Sequence, residues 1–356
     1  MKESNTSSMS NNEALKESHH ELSQGRILRE LIMGFRNTQL IAVAARLKLA
    51  DHLEHGPKTI EHLSEITKTD TRSLYRLLRA LASLGIFKKN KNNTFSTTPL
   101  AELLCDQRQG SLRNLAILYG EEWLQQAYSN LAYSVESGKP AFDFVHHKSL
   151  YDYLKQHPPA AEKFNHAMSA FSDHEGEAIK TAYNFSSAQT VIDIGGGQGV
   201  LLASLLSANP HLSGIVFELP ELVNSIHADS TLSTKDLKIS YLGGDFFKRV
   251  PEGGDIYLLK NVLHNWDDSH CITILKNCRK VMHDNSRLLI IERIIPFRNE
   301  RSEATLFDIN MLVVTGGQAR SEEEYDKLFD AAGFKLHRVI PTQSPVNIVE
   351  GLTKNY

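Results

Sequence analysis

Residues that can bind or react follow each of five apolar segments in the carboxyl-terminal half of the chain. The segments are rich in Val, Ile and Leu and predict strands at Thr190–Ile194, Gly214–Phe217, Ile239–Leu242, Ile256–Leu259 and Leu288–Ile291. The reactive groups at or just beyond their ends are Asp193, Glu218, Asp245, His264 and Glu292. In open α/β sheets, ligands bind just outside the carboxyl ends of the parallel strands. The spacing therefore predicts one site that these five groups share.

The most specific local motif is the glycine segment DIGGGQG at 193–199, between the first strand and a helix. Glycines there let the backbone turn tightly and approach a ligand. A dinucleotide fingerprint would need its third glycine at position 200, which is Val200, and Asp193 would repel a diphosphate. S-adenosylmethionine, which has no phosphate and carries an ammonium and a sulfonium, fits this segment better. A plain strand-to-helix turn is the alternative.

The second and third motifs have the residues that a nucleoside needs. Glu218, about 20 residues beyond the glycines, is placed to accept hydrogen bonds from both ribose hydroxyls, although an exposed loop carboxylate is the alternative. In GGDFF at 243–247, Asp245 can accept from an adenine amino group while Phe246 offers an apolar face. A turn with its usual Gly and Asp explains that segment equally well.

Histidine and glutamate supply the acid–base candidates. His264, in LKNVLHNWDD, follows the fourth strand on the same side as the other motifs, and Glu292 ends the fifth strand. Asp267 or Asp268 is more simply the N-cap of the following helix than a catalytic group. Glu324 stands three residues after Ser321, the spacing of a capping box, so the residues alone leave it open between a cap and a site residue.

Composition and charge exclude several classes of protein. The formal charge of −3 argues against a chain whose main task is to bind phosphate backbones. Three cysteines without Cys/His ligand spacing predict neither a disulfide framework nor a zinc site. The polar first 25 or so residues lack the apolar core of a secretory signal, and no run of about 18 apolar residues predicts a membrane helix. We expect a cytoplasmic protein that contacts neither membrane nor nucleic acid.

The pattern along the chain predicts a helical amino-terminal half and an α/β carboxyl-terminal half. We expect a disordered tail at 1–26, a mostly α winged-helix-like dimerisation domain at 27–108, a helical linker with substrate-pocket helices at 109–184, and the α/β domain at 185–356. Short strands alternating with amphipathic helices predict a parallel sheet. Leu336–Ile340 and Asn347–Leu352 add a terminal antiparallel hairpin, which makes seven strands.

The winged-helix outline rests on helices at Thr59–Ile66 and Ser73–Leu84, followed by a small hairpin. Basic residues along the second helix, Arg72, Arg76 and Arg79, raise a DNA-binding hypothesis. We favour dimerisation, because the apolar first helix needs something to cover it.

Taken together, the motifs resemble a known family. DIGGGQG, FELP, GGDFF, LKNVLHNWDD, IIER, DINMLVVTGG and RSEEEYDKLFDAAGF occur in that order within a resemblance that covers about residues 27–352. The chain resembles the S-adenosylmethionine-dependent O-methyltransferases of the plant caffeate/hydroxyindole type, in the bacterial branch that modifies phenolic and polyketide metabolites. The resemblance implies a Rossmann-like methyltransferase domain, an amino-terminal dimerisation domain and a homodimer.

The resemblance also implies roles for individual residues. His264 would be the general base, with Glu292 and Glu324 flanking its imidazole. The cofactor-binding candidates are Asp193, Gly195, Gly197, Glu218, Leu219, Gly244, Asp245, Phe246 and Lys260. The substrate-binding candidates are Phe164, Met168, Asp308, Asn310 and Met311, and core packing explains the first two equally well. The chain departs from the plant pattern at Glu218 and Asn265, where plant members usually have Asp; Asn265 puts a charge role at that position in doubt.

The function that follows is transfer of a methyl group to a hydroxyl of a small aromatic molecule, with no metal required. One alternative is an N-methyltransferase of a nitrogen heterocycle such as a phenazine. Others are a non-methylating relative that binds the same cofactor and a ligand-responsive DNA-binding regulator. The sequence does not identify the methyl acceptor.

Overall fold

The computed structural model describes residues 24–108, 110–228, 237–298 and 302–354, without the side chains of residues 169–174. Most of the predicted tail, residues 1–23, lies outside the described residues. The chain forms two compact units, Met1–Arg108 with Ala116–Gly120, and Gln109–Leu115 with Glu121–Tyr356. Among the described residues, no helix is long and apolar enough to cross a membrane.

The first unit is mostly helical. Its elements are α1 (24–32), α2 (Phe35–Arg46), α3 (Leu49–Leu53), β1 (Lys58–Thr59), α4 (Ile60–Thr67), α5 (Thr71–Ser83), β2 (Phe87–Lys89), β3 (Thr94–Thr97) and α6 (Pro99–Glu102). The Thr59 hydroxyl caps α4 and the Asp70 carboxylate caps α5, each accepting a backbone N–H, which explains where these helices begin. The strands pair antiparallel in the order β1-β3-β2 around buried leucines of both helices. The predicted helix, helix and hairpin are therefore present, while the comparison with a winged helix stays a prediction.

Six helices of the described chain lie between α6 and the first strand of the second unit's sheet. They are α7 (Arg113–Tyr119), within which the division of the two units falls, α8 (Glu122–Tyr128), α9 (Leu131–Ser137), α10 (Ala141–His146), α11 (Leu150–Gln156) and α12 (Pro158–Ala182). The last of these is the longest, with 25 residues, and a proline at its start. Proline is tolerated there because the first helical N–H groups have no partner within the helix.

A mixed sheet forms the centre of the second unit. Its strands are β4 (Thr190–Ile194), β5 (Ser213–Glu218), β6 (Ile239–Gly243), β7 (Ile256–Lys260), β8 (Arg287–Glu292), β11 (Phe334–Pro341) and β12 (Asn347–Thr353). They are ordered β11-β12-β8-β7-β4-β5-β6. The strands β4, β5, β6, β7 and β8 pair in parallel, and β12 pairs antiparallel with both β8 and β11. The predicted mostly parallel seven-stranded sheet with a terminal antiparallel hairpin is confirmed.

The remaining elements cover the sheet and connect its strands. They are α13 (Val200–Ala208), α14 (Pro220–Ala228), a 3-10 turn at Leu263–Asn265, α15 (Asp268–Val281), β9 (Ile294–Ile295), α16 (Glu303–Val314), β10 (Arg320–Ser321) and α17 (Glu322–Ala332). Apolar residues on alternate positions of the strands form two separate buried clusters. For example, Ile192 belongs to one cluster and Val191 to the other. Because successive strand side chains point to opposite faces, both faces of the sheet are buried.

Strand order also locates a crevice. From β4 the chain continues to β5 and β6 on one side, and later to β7 and β8 on the other. Such a reversal of strand order is the topological switch point at which doubly wound sheets bind ligands. The glycine segment that follows β4 lies at this point.

We expect Phe329→Ala to lower the free energy of unfolding of the second unit by about 3–5 kcal/mol. Phe329 is 0% exposed and lies 5.9 Å from the Phe334 ring, centroid to centroid. The matched control is Phe297→Ala, because Phe297 is 98% exposed and its loss should cost within about 0.5 kcal/mol. Urea unfolding followed by circular dichroism measures both, and equal midpoints for the two variants would contradict the assignment of Phe329 to the core.

Candidate active site

The glycine segment after β4 has a backbone that other residues adopt only with strain. Gly195, Gly197 and Gly199 have φ angles of +69°, +57° and +80°. At Gly196 an added Cβ would lie 2.7 Å from the Asp193 carboxylate, whereas at Gly197 it would meet no atom within 4 Å. Glycine is favoured at position 197 because the backbone there is left-handed, not because a side chain would clash. The space beside it is open to a ligand.

The carboxylate of Glu218, at the end of β5, connects two backbone segments. Its Oε2 accepts from the Gly197 N–H at 3.1 Å, and its Oε1 accepts from the Leu219 N–H at 2.8 Å. Burial raises the pKa of this carboxyl, while the two backbone N–H groups oppose the rise. A carboxylate has about four lone-pair sites, so each oxygen keeps one for a further donor.

The loop after β6 is fixed by backbone contacts. Gly244 donates its N–H to the Glu218 carbonyl at 2.9 Å, and an added Cβ at Gly244 would overlap the Phe217 ring. Asp245 Oδ1 accepts from the Phe247 N–H at 2.9 Å, as in a local turn, and its Oδ2 lies 3.3 Å from Lys248 Nζ. Phe246, partly buried, packs beside the glycine segment, since a Cβ at Gly195 would lie 3.8 Å from its ring.

Two buried side-chain oxygens near the ends of neighbouring strands have no donor among the described residues. They are Asp193 Oδ1, in β4, and Asn261 Oδ1, directly after the neighbouring strand β7. Asp193 is 1% exposed; burial raises the pKa of its carboxyl to about 7, with Lys260 opposing the rise and Glu218 adding to it. Buried acceptors normally have donors, so these two atoms indicate where a ligand can supply them.

Lys260, the last residue of β7, is held by a buried carboxylate. Its Nζ lies 2.7 Å from Glu175 Oε2, and Glu175 is 1% exposed. The same carboxylate accepts from Arg293 Nη2 at 3.2 Å and from Asn261 Nδ2 at 3.4 Å. A buried carboxylate with three donors is compensated for the loss of water. The described geometry thus gives Lys260 a structural ion pair, and its predicted contact with a cofactor stays a prediction.

His264 and Glu292 form the closest polar pair of the site. His264, 7% exposed, lies on the 3-10 turn after β7, and its Nδ1 is 2.5 Å from Oε2 of Glu292 at the end of β8. The His264 backbone N–H also donates to Glu292 Oε1 at 3.3 Å. A carboxylate accepts only, so Nδ1 carries a proton, and Nε2 is the nitrogen at which the ring gains or loses its second proton. This arrangement orients the imidazole and stabilises its charged form after Nε2 takes a proton.

The third acid–base candidate, Glu324, is exposed and closes a capping box at the start of α17. Its Oε2 accepts from the Ser321 N–H at 2.8 Å and from the Ser321 hydroxyl at 2.9 Å. No hydrogen bond among the described residues joins it to His264. The flanking role that the family resemblance implies for Glu324 stays a prediction.

The substrate-binding candidates lie on α12 and α16. Phe164 is half-buried and Met168 is 36% exposed. Asp308 Oδ1 accepts from the Ala319 N–H at 2.8 Å, and Asn310 Oδ1 accepts from the Tyr128 hydroxyl at 2.6 Å. Met311 is buried. Asp308 and Asn310 thus have internal partners, and contact of these five residues with a substrate stays a prediction.

Comparison with known proteins agrees with this geometry. A model of the O-methyltransferase domain family matches residues 128–335, and a model of the O-methyltransferase dimerisation domain matches residues 29–107. The chain belongs to the O-methyltransferase family. It is 39% identical over 324 residues to a phenazine O-methyltransferase from Lysobacter antibioticus, covering 91% of this chain and 95% of that protein.

Two further relatives extend the comparison. A mitomycin biosynthesis 6-O-methyltransferase from Streptomyces lavendulae is 36% identical, over 90% of this chain and 92% of that protein. The solved structure of a methyltransferase of calicheamicin biosynthesis, in its S-adenosylhomocysteine-bound form, has a TM-score of 0.83 and 30% identity. The alignment covers 93% of this chain and 98% of that one. The O-methyltransferase fold, with its dimerisation domain, is therefore shared along almost the whole chain.

Several residues of the candidate site escaped sequence reasoning. Glu175 lies in the carboxyl-terminal half of α12 and has no motif around it. Asn261 has a φ of +55°, a conformation for which asparagine is enriched, and its place directly after a strand was the available signal. Arg293 and Phe307 stack with 4.8 Å between Cζ and the ring centroid, and the Phe307 ring meets the His264 ring edge to face at 5.0 Å. These contacts join residues 14 to 118 positions apart along the chain, and no local pattern encodes them.

We expect the His264 imidazole to be in the Nδ1–H tautomer, because Glu292 accepts at that nitrogen. ¹⁵N chemical shifts of histidine-labelled protein measure the tautomer. In Glu292→Leu the acceptor is lost, and the ring should shift towards the Nε2–H tautomer. The control is Glu323→Gln, at an exposed residue that pairs with Lys327, and it should leave the His264 signals unchanged; an Nε2–H ring in the unmodified chain would refute the assignment.

Proposed function

We propose that the protein is an S-adenosylmethionine-dependent O-methyltransferase that methylates a hydroxyl of a small aromatic metabolite, with His264 as the general base. The observation that supports the role of the base most strongly is the 2.5 Å contact between His264 Nδ1 and Glu292 Oε2, which leaves Nε2 as a proton acceptor. The names of the phenazine and mitomycin relatives support the substrate class. A hydroxyl acceptor must lose its proton, and this buried pair provides the group that takes it.

The residues beside the glycine segment fit S-adenosylmethionine. Its ammonium can supply the donors that Asp193 Oδ1 and Asn261 Oδ1 lack, and the open space beside Gly197 admits a ligand near the backbone. Glu218 keeps a lone pair on each oxygen for the ribose hydroxyls. We assign further cofactor contacts to Gly195, Leu219, Gly244, Asp245, Phe246 and Lys260. When bound, this cofactor supplies an electrophilic methyl group on a sulfonium.

His264 takes the proton as the acceptor oxygen attacks. A phenol such as that of tyrosine has a pKa of about 10 and an ordinary histidine one of about 6.5, a difference of roughly 5 kcal/mol. Full deprotonation before attack is therefore costly, and proton transfer to Nε2 accompanies the attack. Glu292 stabilises the imidazolium that results. The remaining acceleration comes from holding the acceptor in line, where effective molarities are very large.

The acceptor is proposed to lie against residues of α12 and α16. Phe164 and Met168 provide apolar surface on α12, and Met311 does so on α16. Asp308 and Asn310 orient α16 through their bonds to Ala319 and Tyr128 and border the same region. Glu324 is proposed as a second carboxylate near His264 in the substrate complex, in addition to its capping role.

We also propose a homodimer formed through the amino-terminal unit. In α1 the apolar residues Leu28, Leu31 and Ile32 are 60%, 68% and 67% exposed. Apolar surface of this kind is normally covered by a partner. The match to the O-methyltransferase dimerisation domain supports a second copy of this chain as that partner.

The decisive experiment compares His264→Ala with the unmodified enzyme in a labelled-methyl assay over phenols, quinols and hydroxylated phenazines. Loss of a general base should lower kcat by about 10²–10⁴-fold. Affinity for S-adenosylhomocysteine, measured by calorimetry, should stay within about threefold, because His264 is not among the proposed cofactor contacts.

Three results would contradict the proposal in different ways. Near-full activity of His264→Ala at neutral pH would remove the general base. Transfer to a nitrogen of the acceptor would make the enzyme an N-methyltransferase. No binding of S-adenosylhomocysteine to the unmodified chain would overturn the assigned cofactor. A useful control is His270→Ala, because His270 is exposed and pairs with the helix-capping Asp267.

Affinity for S-adenosylhomocysteine should rise as pH increases from 5.5 to 7, by about tenfold, if Asp193 binds its ammonium. The pKa of Asp193, raised to about 7 by burial, means that the carboxyl is mostly protonated at the lower pH and half ionised at the upper one. Asp193→Asn should bind more weakly at pH 7 and lose most of this pH dependence. An unchanged pH profile in Asp193→Asn would exclude this carboxylate as the ammonium partner.

A further inference from the structure

The turn that carries His264 is held by a buried arginine from a distant segment. Arg320 is 0% exposed and lies in β10, directly before α17. Its Nη1 donates to the Leu263 carbonyl at 3.1 Å, and its Nη2 donates to the Trp266 carbonyl at 2.7 Å. These two carbonyls bracket His264. One rigid guanidinium therefore spans the 3-10 turn on both sides of the proposed base.

The Arg320 guanidinium is itself fixed by a carboxylate. Asp268 Oδ1, at the start of α15, accepts from Arg320 Nε at 3.0 Å and from Nη2 at 2.8 Å. The same oxygen accepts from Gln318 Nε2 at 3.1 Å. A buried charge without such partners would be strongly unfavourable, so the contacts account for an arginine at this depth. They also orient the planar fork towards the turn.

The residues before Arg320 complete the hold on the turn. The Gln318 N–H donates to the His264 carbonyl at 2.9 Å. At Gly317 an added Cβ would overlap that carbonyl oxygen, so glycine is what allows the two backbones to come this close. Segment 317–320 thus binds the carbonyls of Leu263, His264 and Trp266 from one side.

Glu292 acts on the turn from the side of the imidazole, through Nδ1 and through the His264 N–H. These contacts fix the ring relative to β8, but not the path of the backbone beyond it. The Arg320 contacts fix that path. Displacement of a reacting group by about 1 Å can cost roughly 10²-fold in rate, so the position of this backbone decides whether Nε2 meets the acceptor hydroxyl.

We propose that Arg320 is a positioning residue for methyl transfer, which sets the place of His264 by holding the carbonyls of Leu263 and Trp266. The proposal rests on the proposed role of His264 as general base. Arg320 takes no proton and touches no substrate. It acts through the backbone of the turn, and its effect on rate therefore depends on the presence of the imidazole.

The test is a double-mutant cycle between Arg320→Lys and His264→Ala, with kcat, KM and S-adenosylhomocysteine affinity measured for each variant. Lysine keeps the charge and loses the planar fork, so Arg320→Lys alone should lower kcat by about 30-fold. KM for S-adenosylmethionine should change by less than about threefold, because the glycine segment and Glu218 are untouched. In the His264→Ala background the same substitution should lower the residual rate by less than about threefold.

A milder variant and a control distinguish a positioning effect from a loss of rate caused by misfolding. Asp268→Asn removes the negative charge that orients the Arg320 guanidinium, and the Asp268 side chain is 63% exposed. This substitution should lower kcat by about fivefold, again only when His264 is present. Arg279→Lys is the matched control, because Arg279 also donates to backbone carbonyls, those of Met282 and Lys354, and none of its described contacts involves the turn. Its kcat should stay within about twofold.

The outcomes distinguish failure of the positioning role of Arg320 from failure of the general-base role of His264. An Arg320→Lys loss as large without His264 as with it would make Arg320 a general structural residue and overturn this inference. Full activity of both Arg320→Lys and Asp268→Asn would do the same. Full activity of His264→Ala would instead remove the general base, and the positioning proposal would fall with it.

Discussion

Parallel pairing of β4, β5, β6, β7 and β8 is the constraint on which the rest of the second unit depends. It turns five separate strand ends into one edge, so that Asp193, Glu218 and Glu292 lie along the same side of the sheet although nearly 100 residues separate the first from the last. Reversal of the strand order at β4 then opens a crevice at that edge. The loops beyond the strands can differ in length and conformation without moving these anchor points.

Two buried charged side chains, Glu175 and Arg320, fix the segments that follow the strand ends. Glu175 binds the side chains after β7 and β8, and Arg320 binds the turn between β7 and α15. Each of these ions is buried, and each has several partners, because a charge removed from water is tolerated only when its hydrogen bonds are made. Loss of one partner would weaken the compensation of the buried charge, so the two networks favour a single arrangement of the site over several close alternatives.

The electrostatics of the crevice follow from the same burial. Asp193 lies under the glycine segment, where loss of water raises its pKa and the positive charge of Lys260 only partly offsets the rise. Lys260 is in turn paired with Glu175, so its charge is shared between two carboxylates. A cationic ligand beside Asp193 would stabilise the ionised form of this buried carboxyl, which Lys260 alone stabilises only in part. This is consistent with a cofactor that carries an ammonium and a sulfonium rather than a phosphate.

The sequence by itself determined the strands of the large sheet to within two residues, the terminal hairpin, the glycine segment and the set of reactive groups at the strand ends. These features are local, since apolar periodicity, turn residues and caps act over a few neighbours. The family resemblance already implied Glu292 beside His264, whereas tertiary structure alone decided that Glu175 holds Lys260 and that Arg320 reaches across to the turn of His264. Such contacts depend on the distance between elements that are remote along the chain, and that distance is set by packing, which no short stretch of sequence encodes.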